Sequence, residues 1–270
     1  MNPNKALWEK GDFTRIADTM RQSGVDLVAK IGVTKGMKVL DLGCGDGTTA
    51  IPAAKLGAKV LGVDIAKNLV DAGNLRAKKE ELTNCVFTEG DACHLAGLED
   101  QSFDMVVSIF GAMFAPRPDD ATREMVRVTK PGGKIIMGNW IPGDPTLVAQ
   151  LLKTSTAYMP PPPAGFVSPM SWGIEKNVIE SFVNAGIPER NISFSKEPWS
   201  FHTSYPAVKF LDAFRDYFGP TMNAFEAAAK NGRAGDLYRE LEVLFNKENK
   251  SASPDNTDIT ANYLLVTVLR

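Results

Sequence analysis

Between residues 37 and 140, short apolar runs alternate with helix-forming segments, and few architectures accept that alternation. MKVLDLG (37–43), AKVLGVD (58–64), CVFTEGD (85–91), FDMVVSIF (103–110) and KIIMGNW (134–140) read as strands. They are apolar and β-branched on both faces, as strands buried from both sides must be. Helical patterns run from about Thr48 to Leu56, through AKNLVDAGNLRAKKEEL, and over DDATREMVRVT (119–129). Strand–helix repetition implies a parallel sheet, and right-handed crossovers reduce the options to a doubly wound α/β fold. Ligands of such folds collect at the C-terminal ends of the strands.

The pattern changes after Trp140. PTLVAQLLKTSTAYM and GIEKNVIESFVNAGI read as helices, separated by MPPPPAGFVSP, whose four prolines impose an extended spacer. That spacer is read first as a stiff loop and second as a pocket wall. NISFSKEPWSF is a candidate strand. PAVKFLDAFRDYFG, TMNAFEAAAKN and GDLYRELEVLFNKEN follow as amphipathic helices, the last apolar at Leu237, Leu241 and Leu244. ANYLLVTVLR closes the chain as a strand. The expectation is one domain: an N-terminal lid helix in residues 1–36, a ligand-binding core over 37–140, a cap with late strands over 141–260, and a final strand at 261–270.

Net charge is −2 with no clustered basic tract, which disfavours a nucleic-acid backbone as partner. No apolar run reaches the length of a membrane span, and MNPNKALWEKGDF lacks the apolar core of a secretory signal. Cys44, Cys85 and Cys93 show no CxxC spacing, so a disulfide framework and a metal site are not expected and a reducing cytoplasm is.

The first strand runs into Gly43, Gly45 and Gly47, within VLDLGCGDG. Glycines there let a ligand approach the backbone where a β-carbon would clash. A dinucleotide loop prefers GxGxxG, and Asp41 beside the loop repels a pyrophosphate while welcoming an ammonium group. Asp64 ends the second strand, where a carboxylate accepts from ribose hydroxyls, and Asp91 ends the third, where it accepts from an adenine amino group. The ligand these acids describe is an adenosine with an amino-acid arm, S-adenosylmethionine.

VLDLGCGDG, GVDIA, EGDA, FDMVVS and TKPGG, in that order, resemble the class I S-adenosylmethionine-dependent methyltransferases. WEKGDFTRIA, FGAMFAP, GNW, MPPPP and SPMSWG are similar to a bacterial-type subgroup related to the ubiquinone/menaquinone-biosynthesis enzymes. The resemblance implies a Rossmann-like seven-stranded sheet whose last strand is antiparallel, with a helical cap before it. It implies that Asp41 and Gly43 to Gly47, including Cys44 and Gly45, hold the methionine part and Asp64 the ribose. Asp91 and Ala92 would then hold the adenine, with Ile65 on its face and Ser108 near the sulfonium end.

The acceptor is expected over the strand ends, between a helix from Phe13 to about Ser23 and the cap. Phe13, Met113, Phe114, Trp140 and Trp172 are its candidate contacts, and their character points to a small apolar or aromatic molecule. No catalytic base is assigned: His202 is a weak candidate, and Tyr158, Tyr205 and Tyr217 are other proton-relay candidates. Two other readings are a non-catalytic cofactor-binding regulator and an arsenite methyltransferase. The second needs several cysteines to hold the metalloid, and with Cys44 taken up in the cofactor turn too few of the three remain.

Overall fold

The computed structural model describes residues 4–270, so residues 1–3 of the expected lid lie outside the described residues. The strands are β1 (Lys38–Leu42), β2 (Lys59–Asp64), β3 (Cys85–Glu89), β4 (Phe103–Ile109), β5 (Thr129–Trp140), β6 (Ile192–Thr203) and β7 (Thr257–Leu269). They form one sheet in the order β3-β2-β1-β4-β5-β7-β6. Strands β1 to β5 pair in parallel, and β7 runs antiparallel to both β5 and β6. The expected seven-stranded Rossmann-like sheet is therefore present, with its final strand reversed and inserted between β5 and β6. That strand starts at Thr257, four residues before the sequence pattern placed it.

The helices are α1 (Lys5–Glu9), α2 (Thr14–Ala17), α3 (Arg21–Ile31), α4 (Ala50–Lys55), α5 (Lys67–Lys79), α6 (Pro118–Val128), α7 (Leu147–Thr156), α8 (Glu175–Asn184), α9 (Ala207–Tyr217), α10 (Gly219–Lys230) and α11 (Ala234–Glu248). Helix α6 carries the signals that start a helix: proline at its first position, then Asp119 and Asp120 against the amino-terminal dipole. The expected helix from Phe13 to Ser23 is broken. A 3-10 turn at Asp18–Met20 separates α2 from α3, and Met20 leaves the helical region at φ −123°, ψ 16°. Its sulfur accepts a hydrogen bond from Trp199 Nε1 at 3.1 Å.

Helices α9 to α11 lie between β6 and β7 in sequence and pack on one another, with α10 and α11 also on α7, which makes the expected cap. Phe210, Phe214 and Phe245 meet there at centroid distances of 5.1 to 5.7 Å. Phe245, rather than Leu244, completes the buried stripe of α11 with Leu237 and Leu241. The four prolines at 160–163 are exposed, as a surface loop is.

Candidate cofactor and acceptor cleft

At the carboxyl end of β1 the glycine turn is drawn toward β2. The Gly43 and Cys44 amides donate to the Val63 carbonyl, at 2.7 and 3.2 Å. Gly45 N donates to Asp64 Oδ2 at 2.8 Å, and Ala66 N donates to Asp64 Oδ1 at 2.9 Å. One carboxylate thus holds both the turn and the entry to α5. Burial raises the Asp64 carboxyl from its ordinary range, and these amides oppose the rise. Gly45 has φ +55°, and the nearest atom to a β-carbon built there is a ring carbon of Phe13, 4.0 Å away. Gly45 therefore leaves clear the space between the turn and the opposite wall.

That space is a cleft partly open to solvent. Seven of the ten residues predicted for the cofactor line it together: Gly43, Cys44, Gly45, Asp64, Ile65, Asp91 and Ala92. Asp91 lies two residues past the end of β3, and its Oδ1 accepts from Cys93 N at 2.9 Å.

The other three predicted cofactor residues stand behind the cleft. Asp41 is buried beneath the turn and accepts from Thr49 Oγ1 at 2.5 Å; burial pushes its carboxyl up to about 7. Residues alternate across a strand, so Asp41 faces α4 rather than the ligand space. Gly47 is packed under the ring of Phe87. Ser108 donates to the Leu42 carbonyl at 2.6 Å and accepts from Ala112 N at 2.9 Å, which staples β1 to the turn after β4.

Of the acceptor candidates, Phe13 and Phe114 line the cleft. Met113 is turned into the core, and Trp172 lies by a separate depression with Pro118 and Val178. Trp140 is displaced by Phe110, whose ring stacks on it at 3.7 Å and takes the cleft-facing position. Phe110 holds φ +56°, a conformation rare for a bulky residue, with its amide donating to Gly138 O at 2.9 Å. His202 lies outside the cleft. It sits on β6 with its side chain half exposed, 3.2 Å from Asp258 Oδ1 and on the face opposite Trp199 and Phe201.

Several lining residues had no place among the sequence candidates: Trp8, Met20, Thr48 and Phe110. Helix α1 roofs the cleft. Lys5 Nζ donates to the Ile65 carbonyl at 3.1 Å and meets Glu89 Oε1 at 2.6 Å. Trp8 stands edge-on to Phe114 at 4.8 Å and to Phe218 at 5.8 Å. The cleft thus has an acidic, amide-rich side at the ends of β1 to β3 and an aromatic side under α1.

Residues 40–137 match the family model described as a methyltransferase domain. The chain is 32% identical over 243 residues to an uncharacterized protein of Mycobacterium tuberculosis, Rv1405c, covering 89% of this chain and 86% of that one. It is 30% identical over 129 residues to the sterol 4-C-methyltransferase strm-1 of Caenorhabditis elegans, covering 47% of this chain and 38% of that one. Among solved structures, phosphoethanolamine N-methyltransferase 2 of Haemonchus contortus, bound to phosphomonomethylethanolamine and S-adenosylhomocysteine, superposes with a TM-score of 0.58. That likeness, at 19% identity over 92% of this chain and 52% of the other, is one of fold. From the family model and the strand order, the chain belongs to the class I S-adenosylmethionine-dependent methyltransferases.

Proposed function

We propose that this enzyme methylates a small apolar or aromatic organic acceptor, held under α1 against Trp8, Phe13, Phe110 and Phe114. The observation that carries this reading is the two-sided cleft, with acids and bare amides on one wall and aromatic rings on the other. S-adenosylmethionine fits the first wall by the chemistry of its donors. Gly45 supplies an approach that a side chain would fill, and Asp64 and Asp91 supply acceptors at separate strand ends for ribose hydroxyls and an adenine amine. Gly43, Cys44 and Gly45 would lie along its amino-acid part, with Ile65 and Ala92 beside the base. When bound, it supplies an electrophilic methyl group.

The chain's own contribution is then orientation and exclusion of water. The aromatic wall offers an apolar acceptor a large contact area. In this reading residues 1–36 act as the lid, 37–140 hold the cofactor, and the cap with the late strands within 141–270 supports the acceptor side. The name of the nematode relative denotes an apolar polycyclic acceptor, which suits the same wall. Metalloid capture is a poorer reading, because burial pushes all three thiols up, Cys85 to about 12. Three buried, unpaired cysteines also suit a reducing compartment such as the cytoplasm. Among the described residues no helix is long and apolar enough to cross a membrane.

Incubation with methyl-labelled cofactor and a panel of phenols, quinones, sterols, amines and fatty acids tests the proposal. Label in an apolar or aromatic acceptor is expected. Label appearing only in polar amines would replace this acceptor class.

A further inference from the structure

We infer that Arg21 is a positioning residue: from the start of α3 it holds Asp46 and Thr48, and with them the glycine turn, in the shape that accepts the cofactor. The inference rests on the cofactor placement proposed above. Asp46 lies between Gly45 and Gly47, lines the cleft, and has a side chain only 3% exposed. Arg21 grips it with both ends of its guanidinium, Nη1 donating to Oδ1 at 2.7 Å and Nη2 to Oδ2. Nη1 also donates to Thr48 Oγ1 at 2.6 Å, so one side chain spans two residues of the turn.

The base from which Arg21 reaches is itself fixed. A β-carbon on Gly24, one turn along α3, would stand 2.2 Å from the Thr48 carbonyl oxygen, so this helix lies backbone-on-backbone against the turn. Ser23 Oγ donates to the Ser200 carbonyl and accepts from Ser200 N, both at 3.0 Å. Together with the Met20–Trp199 contact, these bonds lock the first turn of α3 to β6. On the far side of Asp46, Arg76 Nη1 donates to its carbonyl at 2.5 Å and stands 3.7 Å from its carboxylate.

A planar fork gripping a buried carboxylate fixes direction as well as distance, which a lysine cannot reproduce. Without Arg21, the Asp46 carboxylate is drawn toward Arg76, and the turn between Gly45 and Thr48 shifts with it. Arg21 itself does not line the cleft, so its effect on binding must pass through the turn.

The test is calorimetric titration of S-adenosylhomocysteine into the wild type, Arg21→Gln, Arg21→Lys, Asp46→Asn and the Arg21→Gln/Asp46→Asn double variant, with thermal unfolding of each. Arg21→Gln and Asp46→Asn are each expected to weaken binding about tenfold, and the double variant no more than about threefold beyond the weaker single, because both act through one contact. Arg21→Lys is expected to fall between the wild type and Arg21→Gln. A lowered melting temperature with affinity within about twofold of the wild type would make the pair merely structural and overturn the inference. If Arg21→Gln does not fold, Arg21→Lys decides: weakened binding supports positioning and unchanged binding refutes it. Failure of the wild type itself to bind would defeat the cofactor placement and this inference with it.

Discussion

Gly43 and Gly111 meet backbone to backbone: a β-carbon on Gly43 would stand 2.5 Å from Gly111 Cα, and one on Gly111 would stand 2.7 Å from Gly43 Cα. The contact joins the turn after β1 to the turn after β4. These are the adjacent strands from which the chain crosses in opposite directions, to β2 on one side and β5 on the other. Doubly wound sheets open a crevice at that point. Here the crevice is the cleft, and its floor closes because neither glycine carries a side chain.

Gly111→Ala is therefore expected to push the two turns apart. A forced overpacking of this kind costs about 1–3 kcal/mol. Thermal unfolding should show the loss, and calorimetry should show weaker binding of S-adenosylhomocysteine, because Gly43 and Gly111 both line the cleft. An unchanged melting temperature with unchanged affinity would mean that the turns separate freely.

Asp64→Ala removes the carboxylate that holds Gly45 N and Ala66 N and that is proposed to meet the ribose. Loss of those bonds is expected to weaken S-adenosylhomocysteine binding by about 1–3 kcal/mol. Asp64→Asn keeps the shape and one acceptor oxygen, so it should lose less. Equal, wild-type affinity in both variants would place the ribose elsewhere.

The five parallel strands and the glycine turn were legible in the sequence because their signals are local: apolar runs, glycine spacing and an acid at a strand end. The side each acid faces was less so. Alternation sets Asp41 on the face of β1 opposite Leu40 and Leu42, and only the packing of α4 against that face makes it the side away from the ligand space. For His202 a usable signal was present, since the alternation Trp199, Phe201 against Ser200, His202 already separates it from the apolar face of β6. Phe110 could not be separated from Trp140 by sequence, because its cleft position depends on a positive φ and on a stacking partner from another strand. Trp8 enters the site only because α1 folds back over strands β2 and β3, a long-range contact with no local signature.

Buried Asp41 gives stability a pH dependence of known sign. Its folded carboxyl sits at about 7 against an ordinary 3.8, so the folded state holds the proton more tightly. Its contribution is most favourable below the ordinary value, falls as pH rises through the window to about 7, and is level above it. Asp41→Asn cannot ionise and should flatten that slope. Denaturant unfolding at about pH 5 and about pH 8 is expected to show the wild type losing on the order of 1–3 kcal/mol more than the variant. Parallel slopes for the two proteins would mean that Asp41 is already ionised at the lower pH.

Lys5 joins the roof of the cleft to the ends of β2 and β3, donating to the Ile65 carbonyl and pairing with Glu89 and Glu9. The hydrogen bond with Glu89, followed by that with Glu9, raises its ammonium pKa, so it stays charged at neutral pH. Its partners are partly exposed, so salt should screen the pairs while leaving the Trp8 ring contacts intact. Lys5→Met keeps the length of the stem and removes the charge. Stopped-flow displacement at low salt is expected to show S-adenosylhomocysteine leaving about two- to fivefold faster than from the wild type, as for loss of the one partly exposed pair, with Glu89, that ties α1 to the sheet. The gap should narrow at high salt. Equal dissociation rates at low salt would mean that α1 does not restrain the bound ligand through Lys5, and that Trp8 with Phe114 alone holds the roof down.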